Sequence, residues 1–313
     1  MKEQSKSLGR KNVSIIISTH NRKNDLIKTI SSIINNTFGD FEIIVVSANS
    51  TDGTDEEIKQ RFPEIIIIKA PDVGWGEANN IGASHSLGQL LFFAGPDMTF
   101  EKGWLDYLLS KLNVLENIGE IGVVLFREYE GKGTYITGGS NFKFGYAIQN
   151  GIDLTQSEYQ IYKDTDEIYD VDAVHYPLII REVFFRVGGF DHDYFYICDE
   201  MDIGARIRKL GYRNVICFGK YTKTDMTPES NKTIFYWNRN WLRMVIKMNR
   251  LMMIPIYCTY PIIKISSNIL FLSLKRNNEI KRLLLKSLKY NFENVKRTRK
   301  TLNHNWLNEL SPL

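Results

Sequence analysis

The chain has 313 residues, of which 43% are hydrophobic and 24% are charged. This composition fits a globular protein with a sizeable core, and it excludes disordered and collagen-like chains. The three cysteines have no CxxC spacing, which argues against a disulfide framework or a zinc motif and indicates reduced thiols. A polar start followed by a short apolar run predicts no signal peptide, so we expect a cytoplasmic protein.

Charge is unevenly distributed along the chain. The formal net charge is +4, but the part from Met226 onward has 16 basic and 4 acidic residues, whereas the preceding part has 24 basic and 32 acidic residues. An acidic body followed by a basic tail indicates that the two parts of the chain have different functions. We therefore divide the chain into a domain over residues 1–225 and a basic, amphipathic helical extension over residues 226–313.

Short apolar runs alternate with helical patterns through the first half of the chain. The runs are nearly continuous and rich in β-branched or aromatic residues, which is typical of parallel strands covered on both faces. They are Val13–Ile17, Phe41–Val46, Ile65–Ile68, Leu90–Phe93 and Ile121–Leu125. Helical segments over Asn24–Asn36 and Trp75–Leu87 separate them, and this βαβα order predicts an α/β fold with a mainly parallel sheet. Glu128–Ile168 has no clear period, and we expect a hairpin or an irregular insertion there.

Polar residues follow three of these runs, where the ligands of such sheets bind. Ser18–Arg22 and Ser47–Thr54 can bond a base, a ribose and a phosphate, although the same residues also make ordinary turns and helix N-caps. Asp97 follows the fourth run. Its carboxylate can bind a cation that bridges two phosphates, or it can lie in a β-turn after Pro96.

An acidic cluster lies further along the chain. The segment Gly188–Asp191 precedes Asp199, Glu200 and Asp202 at the start of a predicted helix. Three acids within four residues are more than a helix cap requires. Residues 199 and 202 share a helical face and 200 points elsewhere, so one carboxylate can position the others while another acts as a base.

Taken together, these segments resemble the family 2 glycosyltransferases, which have the GT-A fold. Four stretches match in order: Val13–Arg22, Val45–Thr54, Asn79–Gly82 with Leu91–Asp97, and Gly188–Arg206. They are similar in turn to the family patterns VSIIIPTYNR, VVDNASTDGT, NxG with LLFLNPD, and GGFDExFF followed by EDxDLxxR. The match extends from about Val13 to Tyr212, with a weaker echo at Tyr236–Asn240.

The resemblance implies roles for individual residues. It assigns nucleotide-sugar binding to Thr19, Asn21, Arg22, Ser47, Asn49, Asp52, Asn80 and Asp97. Asp97 also matches the acid of the metal-binding segment, which implies Mg2+ or Mn2+ as the cofactor. Glu200 falls where the family has its catalytic base, and Asp199 falls on the first acid of that pair. We assign His175 and Asp202 to the acceptor side, with a packed core histidine as the alternative for His175.

The implied reaction is an inverting transfer of a hexosyl or related sugar from a nucleoside diphosphate to an acceptor hydroxyl. Three departures from the family pattern bear on it: Ser47 replaces an aspartate that reads the base, Gly95 replaces a polar metal-segment residue, and no histidine occurs in Phe218–Pro228. Metal binding is then weaker, or a lysine replaces part of the cation's charge. A non-catalytic sugar-nucleotide binder and a sugar-phosphate nucleotidyltransferase stay as alternatives. The second of these would have a Gly-rich basic signature, which Ser18–Lys23 lacks.

The tail has apolar and basic segments. Leu251–Leu274 is long enough to span a membrane, but prolines and a lysine interrupt it, so helices at the membrane surface are favoured over a span. Basic residues between 281 and 300 favour an anionic membrane surface, with a solvated helical hairpin packed on the domain as the alternative. No nucleic-acid motif accompanies the charge. We expect a glycan or lipid-linked acceptor, a role in surface polysaccharide or glycolipid assembly, and a peripheral position at the inner face of the membrane.

Overall fold

The computed structural model describes residues 13–129, 132–143, 146–150, 153–225, 231–248 and 278–300, together with residues 263 and 266. Except for those two single residues, the segment predicted to lie on or in a membrane, Leu251–Leu274, is outside the described part.

The first half of the chain alternates strands and helices. Its elements are β1 (Val13–Thr19), α1 (Lys23–Asn36), β2 (Phe41–Ala48), α2 (Thr54–Arg61), β3 (Ile66–Ala70), α3 (Trp75–His85) and β4 (Leu90–Ala94). Four of these strands pair in parallel in the order β3-β2-β1-β4. This confirms the predicted α/β fold and the parallel centre of its sheet.

The second half adds mixed strands and further helices. Its elements are β5 (Met98–Phe100), α4 (Trp104–Val114), β6 (Ile118–Tyr129), β7 (Lys132–Ile136), β8 (Gly139–Lys143), β9 (Tyr146–Asn150), β10 (Asp153–Leu154), α5 (Gln156–Asp164), β11 (Ile168–Val171), β12 (Ala173–Val174), β13 (Leu178–Ile180), α6 (Arg181–Arg186), α7 (Asp199–Lys209) and β14 (Arg213–Asp225). The segment without a clear period forms the antiparallel pairs β6–β7 and β8–β9.

The large sheet continues beyond β4 through antiparallel β13 to β6, and β14 runs parallel to β6. Both of its faces are covered, which explains the continuous apolar runs in the sequence. Ile15 and Ile17 of β1 pack on one side with α1 and α4, whereas Ile16 packs on the other side with α3, α6 and α7. The carboxyl ends of β1, β2 and β4 therefore meet at one edge, as parallel pairing requires.

Two helices, α8 (Asn231–Met248) and α9 (Asn278–Lys300), form the described part of the extension. They pack against each other, and α8 also packs on the body. Trp241 and Val245 of α8 share a buried cluster with Tyr194, Cys198 and Met201. None of the described helices is both long and apolar enough to cross a bilayer.

Candidate active site

The loops after β1 and β2 are joined through Asn21. Its side-chain oxygen accepts a hydrogen bond from Thr51 N at 2.7 Å, and its own N–H donates to Ser50 Oγ at 3.2 Å. Asn21 and Asn49 both have positive φ, 52° and 55°, which asparagine tolerates better than most residues. The two asparagines that were predicted to bind nucleotide thus shape the loops at the sheet edge, and Asn49 is exposed there.

The carboxylate of Asp52 accepts hydrogen bonds from the backbone of these loops. Its two carboxylate oxygens accept hydrogen bonds from Lys23 N at 3.1 Å and from Thr54 N at 3.2 Å. Burial alone would raise its pKa, but the hydroxyl of Thr54 and these N–H groups hold the pKa below its ordinary value. The structure therefore gives Asp52 the turn and capping role, because donors at the starts of α1 and α2 occupy its carboxylate.

Two further residues predicted to bind the nucleotide sugar are buried, and a third holds a turn. Thr19 and Ser47 are register partners on β1 and β2, and both hydroxyls are buried without a hydrogen-bond partner among the described residues. Asn80 of α3 exchanges hydrogen bonds with Phe190, accepting from its N–H and donating to its carbonyl, both at 2.8 Å. Both ends of its amide therefore hold the turn before Asp191.

At the end of β4, Asp97 pairs with Arg22. Arg22 Nη2 lies 3.2 Å from Asp97 Oδ2, and Arg22 Nε donates to Asp25 at 2.9 Å. Gly95 allows Asp97 and Tyr176 to pack close to the backbone, since a Cβ at that position would lie 2.9 Å from Asp97 Oδ1 and 3.2 Å from the ring of Tyr176. Arg22, Gly95 and Asp97 thus form a polar cluster, here called the donor cluster, at the predicted donor side.

Glu200 of α7 lies on the other side of Tyr176. Its Oε1 accepts a hydrogen bond from Tyr176 N at 3.2 Å, and its Oε2 is 3.8 Å from Nδ1 of His175. The far ring nitrogen of His175 is within hydrogen-bond distance of Ser140 Oγ, at 3.1 Å. His175 therefore stands beside Glu200 instead of being enclosed by apolar side chains.

Two tyrosines connect the Asp97 and Glu200 sides. Burial raises the pKa of the Tyr176 phenol, and the negative charges of Asp97 and Glu200 raise it further. Burial also raises the pKa of Tyr196, again with contributions from Asp97 and Glu200, while Arg22 opposes the shift. Two carboxylates 103 positions apart in the sequence thus act on the same two phenols. The sequence analysis missed both tyrosines, although each lies within four residues of a residue that it selected.

Asp199, the first acid of the pair, is buried against α3. A Cβ on Gly76 would lie 2.5 Å from Asp199 Oδ1, and this oxygen has no hydrogen-bond partner among the described residues. Burial raises the pKa of Asp199 well above its ordinary value, and Glu200 and Asp202 raise it further. Asp199 is therefore a buried acid at the start of α7, packed against α3.

Asp202, which was predicted on the acceptor side, is a buried residue. It is 0% exposed, and its carboxylate is bound by Arg206 at 2.7 Å and by Lys247 at 2.8 Å. Tyr194 Oη donates to it at 3.1 Å. Burial alone would raise its pKa, but Arg206 and Lys247 hold the pKa below its ordinary value. Asp202 therefore lies inside the protein in a network of cations.

A divalent cation would find few protein ligands here. No group of three or more histidine, cysteine or acidic side chains that could hold a metal occurs among the described residues. Mg2+ in nucleotide sites commonly uses one or two carboxylates, the substrate's phosphates and water. Asp97, whose Oδ1 lies close to Gly95 with no side chain between them, fits such a cation as a single carboxylate ligand.

The fold is that of the GT-A glycosyltransferases. The crystal structure of GalNAc-T7 with UDP, GalNAc and Mn2+ has the same fold, with a TM-score of 0.62 and 18% sequence identity. The match covers 91% of this chain and 58% of that chain. Residues 14–133 match the family described as glycosyl transferase family 2.

Curated relatives have names from the same class. The glycosyltransferase GlyA of Streptococcus pneumoniae is 30% identical over 125 residues, which are 38% of this chain and 18% of that protein. The O-antigen biosynthesis protein RfbC of Myxococcus xanthus is 26% identical over 256 residues, 75% of this chain and 20% of that protein. The N-acetylglucosaminyl-diphospho-decaprenol L-rhamnosyltransferase of Mycobacterium tuberculosis is 24% identical over 194 residues, 55% of this chain and 62% of that protein. The matches thus span about a fifth of the first two relatives and 62% of the third.

Proposed function

We propose that the protein is an inverting glycosyltransferase that moves a sugar from a nucleoside diphosphate donor to an acceptor hydroxyl. The observation that carries the proposal is the approach of Asp97 and Glu200 to Tyr176. Glu200 accepts a hydrogen bond from Tyr176 N–H at 3.2 Å, and a Cβ on Gly95 would contact both Asp97 Oδ1 and the Tyr176 ring. Two carboxylates beside one tyrosine fit a displacement at a carbon held between a donor side and an acceptor side.

On the donor side, the proposed role of the residues is to stabilise the negative charge of the leaving group. Arg22, which pairs with Asp97, is placed to bind the pyrophosphate through its guanidinium, a geometry suited to phosphate. Asp97 would hold a Mg2+ or Mn2+ ion. Such an ion, when bound, neutralises charge that develops on the departing diphosphate. The GalNAc-T7 structure, which has this fold, was determined with Mn2+, and this supports the choice of cation.

On the acceptor side, Glu200 acts as the general base. Its carboxylate takes the proton of the acceptor hydroxyl while that oxygen forms a bond to the anomeric carbon. The bond from this carbon to the diphosphate oxygen breaks in the same step, and the nucleoside diphosphate leaves with the electron pair. Because attack and departure occur on opposite faces, the anomeric configuration inverts. Tyr176 N–H and the ring of His175 orient the carboxylate, and a positioned base typically contributes about 10²–10⁴-fold.

The acceptor is proposed to be a lipid-linked glycan in surface polysaccharide assembly. Two relatives support this, one named for O-antigen biosynthesis and one named as a rhamnosyltransferase of N-acetylglucosaminyl-diphospho-decaprenol. The outer side of α9 is also suitable for a membrane surface. It exposes Arg282, Lys286 and Lys289 together with Leu285, 47% exposed, and Phe292, 64% exposed. Basic and apolar side chains on one helix favour anionic lipid headgroups.

The test of the base is Glu200→Gln, with Glu182→Gln on the exposed surface of α6 as the matched control. Wild type is first screened for transfer with a panel of nucleotide sugars, with and without Mn2+. We expect Glu200→Gln to lower kcat by about 10²–10⁴-fold while donor affinity stays unchanged. A Glu200→Gln variant that transfers sugar at the wild-type rate would refute the assignment. Donor binding without transfer in wild type would favour a non-catalytic binder.

The membrane part has its own test. Flotation with vesicles that contain phosphatidylglycerol should recover the wild-type protein, and neutral phosphatidylcholine vesicles should not. Replacing Arg282, Lys286 and Lys289 by glutamine should abolish recovery, because each basic residue near an anionic surface contributes about 1 kcal/mol. Equal recovery of the triple variant would refute the role of α9.

A further inference from the structure

The segment before the proposed base has an unusual backbone. Residues 191–198, here called the base loop, connect the Gly188-Gly189 turn to α7. Phe195, Ile197 and Cys198 have φ values of 65°, 69° and 72°. This left-handed region is unfavourable for side chains such as that of isoleucine, and it persists only where surrounding contacts determine it. Contacts from outside the loop must therefore hold it.

Many of these contacts come from one residue of the extension. The side-chain amide of Asn240 on α8 shares its two N–H groups among three carbonyls, those of Tyr194 at 3.0 Å, Tyr196 at 2.7 Å and Ile197 at 2.8 Å. Asn240 is fully buried. Its Oδ1 accepts from Nε of Arg239 at 2.7 Å, which fixes the orientation of the amide.

Arg239 completes this set of donors. Its Nη2 donates to the carbonyls of Asp193 and Tyr194, both at 2.6 Å. Its own backbone carbonyl accepts a hydrogen bond from Asn291 of α9 at 2.8 Å. Consecutive residues of α8 therefore bind backbone carbonyls along most of the base loop, with α9 behind them.

A second row of contacts is ionic. Arg243 Nη2 lies 3.1 Å from a carboxylate oxygen of Asp191 and 2.9 Å from one of Asp193. Lys247 Nζ lies 2.8 Å from Asp191 and from Asp202. Positions 239, 243 and 247 repeat every fourth residue and so share one face of the helix. We call Arg239, Asn240, Arg243 and Lys247 the polar face of α8.

The base loop also touches the donor side. The carbonyl of Phe195 accepts a hydrogen bond from the N–H of Trp75, the first residue of α3, at 2.9 Å. A Cβ on Gly74 would overlap the Phe195 backbone, so the two segments are in direct contact. Tyr196 of the loop senses the charges of both carboxylates, and Glu200 follows two residues after the loop ends. The position of the base is thus set by a loop clamped between α8 and α3.

We propose that the polar face of α8 is a positioning element of the active site, which locks the base loop and so sets Glu200 and Tyr196 for transfer. This inference rests on the proposed function. Its residues touch neither sugar nor nucleotide and act through the loop. The alternative is that α8 only adds stability to the domain, which would make its contacts irrelevant to kcat in protein that stays folded.

The test compares two asparagines of the same helix. Asn240→Asp replaces a donor to three carbonyls by acceptor oxygens, whereas Asn238→Asp changes an amide that bonds to Ile234 O of its own helix. Hydrogen exchange of residues 191–200, read by mass spectrometry, should become faster in Asn240→Asp and stay unchanged in Asn238→Asp. Assayed well below the unfolding temperature, kcat of Asn240→Asp should fall roughly 10–100-fold with an unchanged KM for the donor, since a small misplacement costs about that much.

Each outcome decides the inference. Unchanged exchange in the base loop of a folded Asn240→Asp variant would overturn the clamp, and faster exchange with unchanged kcat would overturn its catalytic consequence. If Asn240→Asp does not fold, Arg239→Lys keeps the charge and removes the Nε–H group that fixes the amide of Asn240, and the same comparison is made. A wild-type protein that transfers no sugar at all refutes the proposed function instead, while the exchange comparison still decides the clamp.

Discussion

Replacing Arg243 by methionine should lower the unfolding temperature, Tm, by an amount that follows from the burial of its ion pairs. The side chain of Arg243 is 0% exposed, and its partners Asp191 and Asp193 are also buried. Removing one partner of a buried ion pair typically costs about 3–5 kcal/mol, because it leaves a buried charge uncompensated. Lys247 remains beside Asp191, so we expect the lower end, about 3 kcal/mol. At about 2 °C per kcal/mol for a chain of this size, Tm should fall by about 6 °C.

The pH dependence of this effect has a definite sign. Burial alone would raise the pKa of Asp191, but Lys247 and Arg243 hold it below the ordinary value. A lowered folded-state pKa contributes stability that is present above the unfolded pKa, near about 4, and is lost as pH falls through the folded value. The wild-type advantage over Arg243→Met should therefore be largest near neutral pH and should narrow as pH decreases below about 4.

The assay is urea unfolding of both proteins between about pH 7 and pH 3. The control is Arg213→Met, which removes an exposed pair with Asp170 in which both side chains are more than 40% exposed. An exposed pair contributes only about 0–1 kcal/mol. If Arg243→Met and Arg213→Met lost equal stability at neutral pH, or if the loss in Arg243→Met did not change with pH, the reasoning from burial would be refuted.

The remaining predictions concern one buried acid of β6 and two residues of the candidate site. Glu120 of β6 is buried, and burial raises its pKa well above the ordinary value. Wild-type stability should therefore fall as pH rises above about 4.5, by up to about 1.4 kcal/mol per pH unit. Urea unfolding of Glu120→Gln should lack this slope, and an equal slope would contradict the prediction. Gly95→Ala should displace the carboxylate of Asp97, since the new Cβ would lie 2.9 Å from Oδ1. Nucleotide titrations should then show weaker binding in the presence of Mn2+ but not in its absence. Equal weakening under the two conditions would count against Asp97 as the metal ligand. His175→Phe removes the ring nitrogen 3.8 Å from Glu200. It should lower kcat several-fold at unchanged donor affinity in steady-state kinetics, because a polar contact at this distance is worth up to about 1 kcal/mol. An unchanged kcat would make the histidine a packing residue.

The parallel half of the fold was predictable because its physical cause is local. The runs of β1, β2 and β4 are continuous in apolar residues because helices cover both faces of these strands. Each strand must therefore be apolar on both faces, and this is visible in its own sequence. The antiparallel strand β13 between β4 and β6 was not predictable in the same way. Leu178–Ile180 is three residues long and has no period of its own. Its place depends on pairing with residues more than fifty positions earlier.

The contacts of the candidate site residues were not predictable from the local sequence. Asp52 and Asp97 both follow apolar runs, yet the first accepts hydrogen bonds at the starts of two helices and the second pairs with Arg22. A local pattern cannot separate them, because the difference is whether backbone N–H groups reach the carboxylate. The burial of Asp202 was not predicted for a related reason. Lys247, its partner, is 45 positions further along the chain, and no local rule connects them.

The uneven charge of the chain is explained in part by contacts buried inside the protein. Reading the sequence, we interpreted the basic tail as a surface for other molecules. Arg239, Arg243 and Lys247 belong to that tail, yet all three are buried against backbone carbonyls or acids of the body. Part of the excess of acids before residue 226 and of bases after it therefore consists of partners that neutralise each other inside the molecule.

The hydrogen bonds from Asn240 to the base loop also bear on how the protein acquires its activity during synthesis. A polypeptide leaves the ribosome from its amino end, and domains begin to fold as they emerge. The proposed donor side is built at the ends of β1, β2 and β4. These strands are synthesised long before α8. We expect the nascent chain to bind donor early but to gain transfer only after Lys247 has emerged, so a prematurely terminated product would hold its donor sugar without passing it on.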